Sequence, residues 1–148
     1  MSTGLYYEDL AEGRAFETTS RTVSEQDIRV FAELTGDRHP LHLDAAFAAH
    51  GPFGRPVAHG MLGLSLAAGL ISQLELTRGT LVALVGVTWR FRGPVFPGDE
   101  VRVRLRVASR RETSQPDRGL VTLAAEVVNQ RGDIVQEGEL VEMVQRRP

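Results

Sequence analysis

GMLGLSLAAGLI, Gly60–Ile71, is the longest nonpolar run of the 148-residue chain, and its reading decides the fold. Such a run is too short to cross a bilayer, so it reads as a buried helix. Met61, Leu62, Leu64, Leu66, Leu70, Ile71 and Leu74 leave its first half almost without a wet face, and a helix of that kind needs cover on most sides. The cover follows in the chain. TLVALVGVTWRF (Thr80–Phe91) is bulky and β-branched, and VRVRLRV (Val101–Val107) alternates apolar residues with arginines. Period two with one dry and one wet face is the pattern of an antiparallel sheet lying on a core. GLVTLAAEVVNQ and DIVQEGELVEMVQ supply two more strands, joined through QRGD at Gln130–Asp133. Gly and Asp there mark a hairpin turn rather than an adhesion motif. The expectation is an α+β fold in which a curved antiparallel sheet closes over one long helix, with residues 1–148 forming a single domain.

On the other side of the run, RAFETTSRTV (Arg14–Val23) predicts a short strand, and SEQDIRVFAELTG predicts a helix. Ser24 caps it, Asp27 sits at the third helical position, and Gly36 supplies a left-handed stop. Ile28, Phe31, Ala32 and Leu34 recur at helical spacing and form its expected buried face. Asp37 then falls just beyond the helix end. Pro40 restricts His39 to extended geometry, which predicts an open, ordered turn across DRHPLH. A second short helix is expected from Asp44 through AAFAAH. GPFGRPVAHG, with two prolines and three glycines, is loop leading into the nonpolar helix.

Net charge is −2, with both signs interspersed, so no basic stripe for nucleic acid is present. Cysteine is absent, which removes disulfides, thiolate nucleophiles and Cys-containing zinc sites. MSTGLYYEDLAEG lacks the basic start and apolar core of a secretion signal, so a cytoplasmic protein without a membrane anchor is expected.

Chemistry concentrates in TGDRHPLH, Thr35–His42. A carboxylate at Asp37 and an imidazole at His42 can hold one water between them and move its proton near neutral pH. The same spacing also suits a plain structural role, with Asp37 in an Asx-turn and His42 packed on a carbonyl. VAHGML adds the second element. If the buried helix begins near Gly60, its first N–H groups lack intrahelical acceptors and can receive a carbonyl oxygen gaining negative charge. Gly60 also lets a ligand approach its backbone without meeting a Cβ. His59 beside it can cap the helix, brace the loop or contact substrate, and a structural role is the favoured reading. Activated water opposite a carbonyl-polarising helix end fits addition of water to a double bond conjugated with a thioester. Thioester hydrolysis needs the same parts and remains the closest alternative.

His39, His42, His50 and His59 with Asp37 make a nominal metal-ligand set, but their spacings match no strong metal pattern, and no metal is expected. Ser65 lies in GLSLA rather than GxSxG, inside the helix, and is expected to bond a carbonyl one turn back. Arg90 and Arg92, which flank Phe91, are candidates to meet phosphates, against the plainer reading of a wet strand face. Trp89 and Phe91 read as core or interface anchors.

Three stretches carry a family resemblance: FAELTGDRHPLHLD (Phe31–Asp44), FGRPVAHGMLGLSLAAGL (Phe53–Leu70) and FRGPVFPGDEV (Phe91–Val101). Together they resemble the MaoC-like acyl dehydratases, which include the (R)-specific enoyl-CoA hydratases, from about Tyr7 to Val144. The resemblance implies a hot-dog fold, a homodimer, and reversible hydration of a trans-2-enoyl-CoA or carrier-protein thioester to a 3-hydroxyacyl thioester of R configuration. It puts the family's acid on Asp37, its histidine on His42 and its carbonyl-binding glycine on Gly60. No cofactor is implied beyond the CoA or carrier portion of the substrate. Two departures stand out. His39 replaces the usual asparagine of GD-x-NP-x-H, and Ala68 stands where some hydratases carry a serine near the pocket. A hot-dog acyl-CoA thioesterase and a nonenzymatic acyl-CoA-binding protein are the alternatives.

Overall fold

Ser24 starts the first long helix by accepting a hydrogen bond from the Asp27 N–H, while the Asp27 carboxylate accepts from the Ser24 N–H in return. In the computed structural model, which describes residues 3–148, that helix (α1) runs Glu25–Thr35 and ends on Gly36 at φ 82°. Gly36 pays little for this left-handed geometry, so the stop is sharp. Ile28 and Ala32 are buried beneath α1 and Phe31 is partly so, but Leu34 is 81% exposed, because the helix rests on the body along a narrower stripe than its spacing suggested.

The turn expected at DRHPLH is a helix, α2 (Pro40–Leu43), followed by α3 (Ala45–Ala49). Proline at the first helical position loses no bond, because that N–H has no intrahelical partner, and its fixed φ already suits a helix. His39 is extended, as a residue before proline should be, and its Nδ1 accepts from the Leu41 N–H at 3.0 Å. The side chain of Asp44 caps α3 through the Phe47 N–H. RAFETTSRTV forms two short strands, β1 (Ala15–Glu17) and β2 (Arg21–Thr22), instead of one.

The nonpolar run is helix α4 (Gly60–Gln73). Behind it come β3 (Leu81–Phe91), β4 (Glu100–Glu112), β5 (Arg118–Asn129) and β6 (Ile134–Gln145). All pairings are antiparallel in the order β1-β4-β5-β6-β3, with β2 also on β4. The alternation of β4 buries Val101, Val103, Leu105 and Val107 and sends the arginines outward. With Val121, Leu123, Ala125, Val127, Leu140 and Val144 they share one core with Leu62, Ala67, Leu70 and Ile71 of α4. Full burial of such a side chain is worth roughly 1.5–3 kcal/mol, so this contact is the main cohesion of the fold. The hairpin between β5 and β6 turns as predicted, with Gly132 at φ 83° and the Asn129 carboxamide oxygen accepting from the Arg131 and Asp133 N–H groups.

The cover over α4 is less complete than its composition predicts. Met61, Ser65, Ala68, Gly69 and Ser72 are exposed, and strand β3 at the sheet's edge exposes Leu81, Val82, Leu84, Val85, Val87 and Phe91. No helix among the described residues is long and apolar enough to cross a membrane.

Candidate active site

Helix α1 ends at Gly36, so Asp37 emerges from a fixed point, and α2 turns His42 back toward it. Thr35 braces the exit by donating its hydroxyl to the Phe31 carbonyl and accepting from the Asp37 N–H. One Asp37 carboxylate oxygen accepts from the His39 N–H at 3.3 Å. His42 Nδ1 lies 2.7 Å from the Val57 carbonyl oxygen. A carbonyl can only accept, so Nδ1 carries the hydrogen and Nε2 keeps its lone pair. Burial pushes the His42 pKa below its usual 6.5. The Val57 hydrogen bond opposes that shift, His59 adds to it, Asp37 opposes it and His39 adds to it. The net result is a neutral imidazole with a free basic nitrogen.

His59 ties these parts together more closely than a loop brace would require. It is 2% exposed, its Nε2 donates to the Asp37 backbone carbonyl at 2.9 Å, and its ring stacks on His42 with centroids 3.9 Å apart and planes 30° apart. Phe31 packs on the ring at 4.9 Å between centroids. One imidazole thus sets both the backbone under Asp37 and the plane of His42. Its Nδ1 is a buried lone pair with no described partner.

The donor atoms of Asp37, His42 and His59 lie within 4.8 Å of one another, close enough to suggest a metal. The ring stacking argues otherwise. Lone pairs of imidazole lie in the ring plane, so stacked rings direct them side by side rather than to one point.

His59 also precedes Gly60, the first residue of α4, and gives that helix no side-chain cap. Among the described residues outside the helix the Gly60 N–H has no acceptor, and it lies at the positive end of the helix. Glycine suits this position for a reason the sequence did not reveal: a Cβ on Gly60 would lie 2.8 Å from the Phe91 ring, which would have to shift. The other side of this helix end is clamped by Gln136, 2% exposed, whose amide nitrogen donates to the Gly60 carbonyl at 3.2 Å while its oxygen accepts from the Trp89 indole at 2.9 Å. Gly63 makes room for that amide, since a Cβ there would collide with the Gln136 side chain. Neither Gln136 nor Gly63 carries a periodic or motif signal in the sequence. An inward amide at a buried strand position, between Val135 and Glu137, was the available clue.

His42 opens onto a cleft of about 610 Å³ lined also by Ile28, Ala32, Arg38, Leu43 and Arg55. Arg55 lies over the Phe96 ring at 3.9 Å. Arg90 and Arg92 are not brought to the site. Phe91 faces Gly60, so its neighbours on the strand face the opposite way. Arg92 pairs with Glu137 at 2.5 Å, and Arg90 joins Arg104, Glu126 and Glu137 along a groove on the outer sheet face. Ser65 bonds the Met61 carbonyl at 2.8 Å, one turn back, as expected.

A helix wrapped by one antiparallel sheet, with an acid and an imidazole gathered on His59 just before the helix's first residue, defines a hot-dog protein of the hydratase and dehydratase kind. Residues 9–129 match the family described as MaoC like domain, and the chain belongs to it. An (R)-specific enoyl-CoA hydratase of Aeromonas caviae is 38% identical over 122 residues, which cover 82% of this chain and 87% of the relative. A solved structure titled as a monoamine oxidase regulatory protein from Archaeoglobus fulgius is 36% identical, covers 99% of this chain and 98% of its own, and superposes with a TM-score of 0.94. A MaoC-like dehydratase from Rhodospirillum rubrum is 32% identical with a TM-score of 0.86, covering 98% of this chain and 99% of its own.

Proposed function

We propose that this chain is a single-domain lyase that adds water reversibly to a trans-2-enoyl thioester, giving the (3R)-3-hydroxyacyl thioester, with Asp37, His42 and the Gly60 N–H as its working groups. The observation that carries the reading is the His42 tautomer. Its Nδ1–H is committed to Val57, and the free Nε2 lone pair belongs to a ring whose pKa is pushed down by burial. Such a nitrogen takes a proton from water at neutral pH. The Asp37 carboxylate accepts the water's other hydrogen and so fixes its direction. The water oxygen bonds to the β carbon, the double-bond electrons move toward the carbonyl, and the α carbon receives the proton that His42 took. Negative charge that develops on the thioester oxygen meets the Gly60 N–H, a contact of the sort worth roughly 3 kcal/mol when well aimed.

Relatives named as (R)-specific enoyl-CoA hydratases support both the substrate class and the R configuration. The exposed apolar edge at β3, continuous with the open face of α4, supports a homodimer, because a long, bare strand edge of this kind is normally paired or blocked. A chain without cysteine suits a reducing compartment, which supports a cytoplasmic location.

The test is product analysis after incubation with crotonyl-CoA. The expected product is 3-hydroxybutyryl-CoA with CoA still attached. Release of free CoA as the main product would make the protein a thioesterase, and binding without turnover would make it an acyl-CoA-binding protein.

A further inference from the structure

Strand β6 carries a residue on the wrong face. Leu140 and Val144 are 4% and 0% exposed on its dry side, and Glu142, two residues from each, shares that side by the period-two rule. Its cross-strand neighbours are Leu84 on β3 and the fully buried Val121 on β5. Among the described residues the Glu142 side chain makes no hydrogen bond or ion pair. It opens into a cavity of about 590 Å³ between α4 and the sheet, whose wall is otherwise mainly apolar, including Leu64, Ala68, Ile71, Leu84 and Leu140. The charged residues that share the cavity are Glu75 and Arg78, which pair with each other at 2.6 Å. Loss of water around Glu142 raises its pKa above the ordinary carboxylate value.

The cavity is placed to receive the far part of an acyl chain. Leu64 and Ser65, in its wall, lie one turn along α4 from Gly60, and Ala68 and Ser72 continue the same face. A thioester whose carbonyl rested on the Gly60 N–H would have this face of α4 available to its chain one turn further on. A plain alkyl tail would strip the remaining water from Glu142 and give it no partner, which is costly. A hydroxyl both donates and accepts, as a neutral carboxyl does, and satisfies it. An ammonium would bring a full charge into a wall that is mainly apolar, at a greater desolvation cost than a neutral hydroxyl.

Resting on the enoyl-thioester reading above, we propose that Glu142 makes this chain select acyl groups that carry a hydroxyl well beyond the thioester. The test is calorimetric titration of the full protein with a series of saturated ω-hydroxyacyl-CoAs of increasing length, beside the unsubstituted acyl-CoAs and an ω-amino analogue. These ligands lack the double bond, so binding is read without turnover. At one chain length the hydroxylated ligand is expected to bind about tenfold tighter than its plain counterpart, equivalent to about 1.4 kcal/mol. Glu142→Leu should abolish that preference and Glu142→Gln should keep part of it, with melting temperatures showing that both variants fold. Equal binding of plain and hydroxylated ligands by the wild type, an unchanged preference in Glu142→Leu, or tighter binding of the amino analogue would each overturn the proposal. Crotonyl-CoA hydration is measured in parallel. If hydration proceeds without the hydroxyl preference, only Glu142's role falls. If the preference holds but crotonyl-CoA is not hydrated, only the reaction falls.

Discussion

Helix α4 is held very differently at its two ends. At the start, Gly60 is clamped between the Phe91 ring and the Gln136 amide, and His59 just before it stacks on His42 while holding the Asp37 carbonyl. Farther along, Ser65, Ala68, Gly69 and Ser72 face outward, and a roomy cavity separates the helix from β3 and β6. Close packing leaves little room for a side chain to change conformation, so the crowded end suits the groups proposed to aim at reacting atoms. The open end is free to vary in shape and polarity. On this account, changes at the first end alter the rate of chemistry, while changes at the second alter which acyl chain binds and how copies associate.

The largest effect is expected from the working pair. His42→Ala or Asp37→Asn should lower kcat by about 10²–10⁴-fold with little change in melting temperature. Near-normal turnover in both variants would erase the contrast between the two ends. Gly60→Ala comes next. Its methyl group would meet the Phe91 ring at 2.8 Å, and the resulting shift of the helix end should cost about 10²-fold in kcat. A double variant adding Phe91→Ala should recover much of the loss, which steady-state kinetics would show. At the open end, Val82→Lys with Val85→Lys puts charge on the exposed edge of β3 and should convert the proposed dimer to monomer in light scattering. An unchanged mass would mean that β3 is not the interface.

Smaller still is the pH effect. Because burial lowers the His42 pKa, the basic form survives below pH 6.5, and kcat/KM should fall on the acid side with a midpoint under that value. The sign for stability is the same: the unfolded chain binds this proton more readily, so the contribution is intact above pH 6.5 and is lost as pH drops through the depressed value. Ser24→Ala, far from either end, should cost about 1 kcal/mol by loss of the α1 cap and leave kcat unchanged.

Periodicity and turn chemistry are local properties, which is why they predicted α1 with its caps, α4 and the four long strands. Pro40 shows the limit of such reading. It marks both turns and helix starts, and only the His39 cap and the following bonds decide for a helix. In the candidate site, Asp37, His42 and Gly60 could be picked out beforehand because acid, imidazole and helix start are distinctive types near one another in sequence, and the structure brings Asp37 and His42 together. Gln136 was not, since its contact with Gly60 joins residues 76 positions apart. The direction of Arg90 and Arg92 was also hidden, because the strand's alternation becomes informative only once Phe91 is known to face Gly60.

The most direct measurement is incubation with crotonyl-CoA in ¹⁸O-labelled water, followed by mass analysis of where the label resides. Addition at the β carbon predicts label in the 3-hydroxyl group of a product that keeps its CoA, absent with His42→Ala. Label in a free carboxylic acid, with CoA released and no 3-hydroxyacyl thioester formed, would contradict the account.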